Sequence, residues 1–420
     1  MSMLKVWILN HHAITPNLPG GTRHYDFAKE LINRGCDTTI FASSFHHILS
    51  KEIKDYKGKD FVLEDFDGVK FVWLKTFPYS NNDWKRIINM LSYSVRAYKV
   101  AKSLKIERPD VVIGSSVHLF AAYTAYLLSK CFKVPFIMEV RDLWPQTLID
   151  MGTPKWHPFV LLLRMLEKYL YRRANRIVTL LPKADGYIKS LGISANKIVW
   201  IPNGTNLKRF AENCLNHQKE SHGTASKFVV VYMGAMGKAN NLGIAIEASE
   251  VLQRDYPDIR FLFVGDGPEK TRLMRMAREC NIKNVEFRTP VSKEVAASIL
   301  LHADVLYFNL KNSPIFKYGI SSNKLFDYLA AGRPIIFASG SINNPVNEAS
   351  SGITVSPDSP QELVDAIIAL YRMPEGKRRE MGLNGRKYVE KHHSLQILVD
   401  KLEVVIKEVM SAKEADYASI

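Results

Sequence analysis

A lysine in the first turn of a helix is out of place, because the partial positive charge of that end favours Asp or Glu. Residues 319–339 of this 420-residue chain, GISSNKLFDYLAAGRPIIFAS, put one there. Gly319, Ser321, Ser322 and Asn323 suit a loop running into a helix N-cap, residues 324–331 form a short apolar helix, and Gly332 stops it. Pro334 excludes further helix, and IIFAS reads as a buried strand. A loop entering a helix offers unpaired backbone N–H groups, and with Lys324 in its first turn this one could hold a phosphate. Asp327, one turn later on the same face, could accept hydrogen bonds from sugar hydroxyls. The same residues also suit a plain loop–helix–strand unit with a surface Lys–Asp pair.

Three further loops have the composition of anion sites. Gly20 and Gly21 stand between a first strand and a first helix, where backbone could approach a ligand closely, although the spacing is not G-x-G-x-x-G. GAMGK at 234–238 sets Gly234 and Lys238 after a strand, and GDGP at 265–268 sets Gly265 and Gly267 after the next. Each alone is ordinary turn chemistry; at successive strand ends they point to one ligand.

The elements that would position these loops alternate. Strands are expected at 4–9, 38–42, within 60–76, and at 110–114, 136–140, 177–180 and 198–201. A second series begins at 228, with strands at 261–265, 285–287 and 304–308 between helices 242–254, 268–281 and 292–302. This βαβ rhythm predicts an α/β chain of two doubly wound, largely parallel sheets, with ligands at the carboxyl edges of the strands. The expected domains are residues 1–200 and 201–389. The polar stretch 210–227 reads as a linker.

Composition excludes several classes. A hydrophobic fraction of 46% with 24% charged residues describes a folded soluble chain. Cys36, Cys131, Cys214 and Cys280 lack metal-ligand spacing and read as free thiols in a reducing cytoplasm. The N-terminus reads as a strand rather than a signal peptide. The longest uncharged run, 111–129, carries Gly114, Ser115, Ser116 and His118 and reads as strand then helix, not as a membrane span. Residues 1–200 hold 29 Lys and Arg against 17 Asp and Glu, a net of +12, whereas residues 201–420 hold 28 against 25, a net of +3. Within the basic half, 84–105 and 155–176 are amphipathic helical segments suited to an anionic lipid surface or a phosphorylated substrate; a core-facing helix with a solvated basic face has the same pattern. No nucleic-acid motif accompanies the charge, so no nucleic-acid partner is expected.

Nearly the whole chain resembles the retaining glycosyltransferases of family 4, which have the two-domain GT-B fold with a cleft between the domains; the resemblance implies a C-terminal helix, 390–415, packing back on the first domain. The resemblance rests on PGG (19–21), IPNGTNLKRF (201–210), VGDGPEK (264–270) and FDYLAAGRPI (326–335). EVRDLWPQ, GAMGKANN and SSNKLFDYLAAGRPI are similar to a bacterial subgroup that builds O-antigen, capsule and exopolysaccharide units on a lipid carrier. Several positions depart from the pattern. The family's paired glutamates fall at Gly319 and Asp327, its Arg and Lys after the second domain's first strand at Ala235 and Asn240, and its first-domain His at Arg141, before Asp142.

The resemblance implies metal-independent transfer of a hexosyl or N-acetylhexosaminyl group, with retention, from a nucleotide diphosphate. UDP is the expected nucleotide, and an N-acetylated or deoxy sugar fits the subgroup. The acceptor would be a saccharide on a polyprenyl diphosphate at the cytoplasmic face of the inner membrane. No cofactor is implied. Lys238, Lys324, the helix start at Asn323 and the Gly20–Gly21 loop would stabilise the leaving diphosphate, and the base would pack near Thr289 and Val291. Arg141, Asp142, Glu139 and His118 are candidates for positioning donor or acceptor hydroxyls, with a capping role the other reading of His118. Two rival readings stand beside transfer: a nucleotide-sugar 2-epimerase of the same fold, and a non-catalytic nucleotide-binding protein at a membrane surface.

Overall fold

The computed structural model describes residues 3–46, 49, 51–79, 84–104, 106–116, 118–216 and 228–418, with backbone only at 213–216 and 415–418. The chain forms two compact units, one comprising Met1–Pro202 with Leu395–Ile420, the other Asn203–Ser394.

The first unit is built on β1 (Leu4–Leu9), β2 (Cys36–Ser43), a short ribbon of β3 (Phe45–His46) and β4 (Lys51–Glu52), β5 (Phe61–Phe66), β6 (Val69–Leu74), β7 (Val111–Ser115), β8 (Phe136–Val140), β9 (Arg176–Thr179) and β10 (Ile198–Trp200). Eight of these form one sheet in the order β10-β9-β8-β7-β1-β2-β6-β5. All its pairings are parallel except β5 with β6, a hairpin turned at Asp67 and Gly68, both at positive φ. The ribbon and this antiparallel edge are the additions to a simple parallel alternation. Helices α1 (Arg23–Asn33), α2 (Trp84–Ser103), α3 (Leu119–Phe132), α4 (Gln146–Asp150), α5 (Pro158–Arg173) and α6 (Ala184–Ser190) complete the unit with the C-terminal helix Leu395–Ala418.

Both faces of this sheet are buried, which is why its strands read as apolar runs. Val6, Ile8 and Ile40 share a core with Leu31 of α1 and with Leu398, Leu402 and Val409 of the C-terminal helix. On the opposite face Trp7 stacks edge-on against Phe132 of α3. Gly114 lets α3 approach closely, since a Cβ there would lie 2.6 Å from that of Ala125. The chain leaves β1 for β2 on one side and returns to β7 on the other, so the sheet reverses between β1 and β7.

The second unit carries six parallel strands, β11 (Phe228–Met233), β12 (Ile259–Val264), β13 (Val285–Arg288), β14 (Val305–Asn309), β15 (Ile335–Ala338) and β16 (Gly352–Val355), in the order β13-β12-β11-β14-β15-β16. Alternate residues of each strand feed two cores. Val230, Phe261 and Ile336 face one, and Val231, Leu262 and Phe337 the other. Its helices are α7 (Leu207–Asn216), α8 (Gly243–Asp255), α9 (Lys270–Glu279), α10 (Lys293–Leu301), α11 (Asn323–Ala330), α12 (Pro345–Glu348), α13 (Pro360–Arg372) and α14 (Glu375–His392).

The expected linker at 210–227 is corrected in part. Residues 207–216 are helix, and Phe210 is buried in the second unit's core; residues 217–227 lie outside the described residues. Cys36 is buried and free, Cys131 and Cys280 are exposed and free, and the Cys214 side chain lies outside the described residues. Among the described residues, no helix is long and apolar enough to cross a membrane.

Candidate active site

In the second unit the sheet reverses between β11 and β14, and the loop after β11 lies at that edge, where open α/β sheets bind ligands. Leu325, Phe326, Tyr328 and Leu329 bury one face of α11 in the core. That anchors its first turn, and Ser322 stands extended at the N-cap without a side-chain capping bond. Lys324 then crosses to the β11 loop. Its Nζ donates to the Tyr232 hydroxyl at 2.9 Å and to Asn240 Oδ1 at 2.8 Å, and lies 4.5 Å and 5.1 Å from the ring centroids of Tyr232 and Phe308. Tyr232 passes its own proton to the Ala235 carbonyl at 2.6 Å. Gly234, at φ +145°, leaves the room, since a Cβ there would lie 3.2 Å from Lys324 Cδ.

These partners are all neutral. Loss of solvation therefore pulls the Lys324 ammonium down to about 7, with no carboxylate to hold it up. Lys238, in a short 3-10 turn of the same loop, is exposed, as is Ala235. Asn240 stands where the family pattern has a lysine, and here its amide oxygen carries Lys324. Gly319 has φ +94°, a conformation in which the expected glutamate would be strained.

The two glycines of GDGP have a packing task. Gly234 N–H bonds to the Val264 carbonyl and Met236 N–H to that of Asp266, so the loops after β11 and β12 run locked together. A Cβ on Gly265 would meet the Gly234 oxygen at 2.0 Å, and one on Gly267 the Met236 oxygen at 2.5 Å. Lys270 Nζ clasps the turn through the carbonyls of Gly265 and Arg288. Thr289 is exposed just beyond β13, and Val291 packs half-buried against the core.

Asp327 does not share a partner with Lys324. Its carboxylate takes an ion pair from Lys293, the first residue of α10, at 2.6 Å, and a hydrogen bond from Thr205 at 3.0 Å. Just upstream, Asn203 is stitched to the loop before α11. Its N–H donates to Ser321 Oγ at 2.8 Å, and its amide to the Ser321 carbonyl at 2.5 Å. Sequence reading missed Tyr232, Lys293 and Thr205. Nothing in local spacing signals them, because each meets its partner from a different strand end.

In the first unit Glu139 lies next to the last residue of β8, and both its oxygens are engaged. Oε1 accepts from His24 at 2.8 Å and from Ser115 at 2.8 Å, and Oε2 pairs with Arg23 at 2.9 Å. Arg23 and His24 open α1, directly after Gly20, Gly21 and Thr22. Arg23 spends its remaining donors on the carbonyls of Ile201 and Pro202. Burial alone would raise the Glu139 carboxyl, but Arg23, His24 and Arg141 together hold it well below the ordinary range. Glu139, a candidate for positioning hydroxyls, thus sits at the centre of an internal network. Arg141 is half-buried and adds its charge to that network, whereas Asp142 is exposed.

His118 caps α3, accepting the Ala121 N–H at Nδ1. Its neutral ring therefore carries the proton on Nε2 and donates it to His11 Nδ1 at 2.7 Å, across the reversal point between β1 and β7. Burial and nearby Arg86 push His118 down to about 3, so it stays neutral.

Comparison with known proteins identifies the family and the fold. Residues 20–204 match the family model of the glycosyl transferase 4-like domain, and residues 227–373 that of glycosyl transferases group 1. The putative colanic acid biosynthesis glycosyl transferase WcaI of Escherichia coli is 23% identical over 324 residues, covering 74% of this chain and 78% of its own. Sucrose-phosphate synthase from Thermosynechococcus elongatus superposes with a TM-score of 0.74 at 17% identity, covering 97% of this chain and 100% of its own. Anabaena HepE, solved with UDP and glucose, superposes at 0.66 and 14% identity, covering 96% and 99%. The chain belongs to the family 4 glycosyltransferases of group 1, and its fold is GT-B.

Proposed function

We propose that this glycosyltransferase moves a sugar, with retention, from a UDP-sugar to a lipid-linked saccharide, and that Lys324 meets the leaving diphosphate. The observation that carries this reading is the Lys324 ammonium, desolvated among neutral partners beside a glycine loop. A diphosphate arriving there supplies the missing counter-charge. Negative charge grows on that diphosphate as the glycosidic bond breaks, so the ammonium binds the transition state more tightly than the ground state. Exposed Lys238 adds charge from the same loop, and the α11 N-terminus at Asn323 adds its dipole. Asp327, fixed by Lys293, is the carboxylate for the ribose, and the loop from Thr289 to Val291 borders the base. Arg141 and Asp142 orient hydroxyls at the strand edge of the first unit. The lysines and backbone dipoles do the work a metal does elsewhere, and transfer is expected to proceed without one.

The lipid acceptor is supported by the surface of the first unit. Trp84 on α2, Trp156 before α5 and Met165 on α5 are 63%, 75% and 72% exposed, amid Lys85, Lys155, Lys168 and Arg172. Aromatic and aliphatic side chains among basic ones suit an anionic membrane surface. On this reading the enzyme works at the cytoplasmic face of a bacterial inner membrane. HepE was solved with UDP and WcaI is named for colanic acid biosynthesis, which favours UDP and a surface polysaccharide here too.

A thermal-shift panel of nucleotides and nucleotide sugars, with and without Mg²⁺, tests the donor. UDP or a UDP-sugar should raise the melting temperature equally with and without metal. A shift only with Mg²⁺ would overturn metal independence, and no shift with any nucleotide would sink the donor site.

A further inference from the structure

A cavity of about 370 Å³ opens in the first unit where the starts of α2, α3 and α5 meet α4. That volume lies within the roughly 300–1,000 Å³ of small-molecule sites. Its walls are apolar, from Ile87 and Met90 of α2, Leu148 of α4, and Phe159 and Leu163 of α5. Two polar side chains interrupt them, Arg86 and His118, and they are neighbours: the charge of Arg86 is felt at the His118 ring. His118 also bonds to His11 at the reversal point of the sheet, so this polar end adjoins the strand edge where an acceptor is expected. At the other extreme Trp84 lines the cavity and is also 63% exposed, joining it to the apolar and basic surface of α2 and α5.

Taken together, we infer that this cavity receives the hydrocarbon chain of a lipid carrying a phosphate or diphosphate head, with Arg86 at the head. This assignment rests on the lipid-acceptor reading above. An apolar pocket alone would accept any small hydrophobe. A guanidinium on the wall, the +12 balance of residues 1–200, and continuity with an exposed Trp-bearing surface select a chain with an anionic head that arrives from a membrane. His118 is neutral and donates to His11, while Arg86 contributes a formal charge to the cavity wall. A free polar saccharide would gain nothing from these walls, so the pocket selects the carrier and leaves the sugar to the strand edge.

Farnesyl phosphate titrated into the full chain, followed by tryptophan emission, tests the assignment, because Trp84 and Trp144 both line the cavity. A saturable blue shift is expected. The Ile87→Phe/Leu148→Phe variant, which fills the space from two half-buried positions, should bind at least tenfold more weakly while keeping its melting temperature and its UDP response. Arg86→Gln should weaken farnesyl phosphate but not farnesol. Absence of a saturable shift, or equal affinity in the filled variant, overturns the cavity assignment. Co-sedimentation with vesicles of anionic phospholipid separates it from the parent reading. Vesicle binding retained by the filled variant, with farnesyl phosphate lost, supports both. Saturable farnesyl phosphate binding by a protein that ignores vesicles overturns the membrane surface and supports the cavity.

Discussion

The strand edges of the two units treat charge in opposite ways. In the first, Glu139 is met by Arg23, His24 and Ser115, and Arg23 is completed by two carbonyls, so the charges of this pair are answered from within. In the second, Lys324 is met by a phenol, an amide oxygen and two rings. A closed pair is scaffolding, whose members are costly to remove singly and inert towards ligand. A desolvated ammonium among neutral groups is costly in the empty protein and gains most when an anion arrives. The charge we propose as functional is the one whose surroundings are incomplete.

The largest effect that separates the two concerns stability. Glu139→Gln leaves Arg23 buried without its carboxylate and should cost about 3–5 kcal/mol, read by denaturant unfolding. The UDP affinity of the molecules that remain folded should not change. Lys324→Met should behave inversely. It should lose about 100-fold in UDP affinity, roughly 2.7 kcal/mol, and yet melt higher than the native protein at pH 7. A Lys324→Met protein that melts lower would break the comparison.

The next effect is the pH dependence of Lys324. Its folded value of about 7 lies below the ordinary 10.5, so between these values the unfolded chain binds the extra proton and stability rises with pH. Donor binding runs the other way. An arriving diphosphate needs the protonated amine, so UDP affinity should fall by up to about tenfold per pH unit above 7. Isothermal titration across pH 6–9 reads this slope, and Lys324→Arg should flatten it. The smallest effect is at Lys238, which is exposed and screened. Lys238→Ala should weaken UDP by only about threefold. A loss exceeding that of Lys324→Met would exchange their roles.

Much of the fold was legible because it is carried by local pattern. Parallel strands buried on both faces read as apolar runs, and α11 was framed by its own serines, Gly332 and Pro334. Lys324 was visible as a cation in the wrong turn. What spacing could not convey is which side chains meet across strand ends. Asp327 lies one turn from Lys324, yet it is claimed by Lys293 and Thr205. Glu139 looked available beside Arg141 and Asp142 because Arg23, 116 residues away, was not visible as its partner. The GDGP glycines looked like a phosphate loop, and the interlock with Gly234 and Met236 gives them a steric reason as well.

The second unit is an insertion. Thr205 bridges to Ser394 and its N–H bonds to the His393 carbonyl, so the two ends of Asn203–Ser394 lie side by side. Ile201 and Leu395, the residues flanking it, share one core. The gene could therefore be cut and rejoined at these points, yielding the second unit as a separate piece with adjacent termini and a remainder closed by a short splice. A stop codon at residue 395 would act the other way. It would spare every residue of the second unit and still strip the first of a helix that packs into its core.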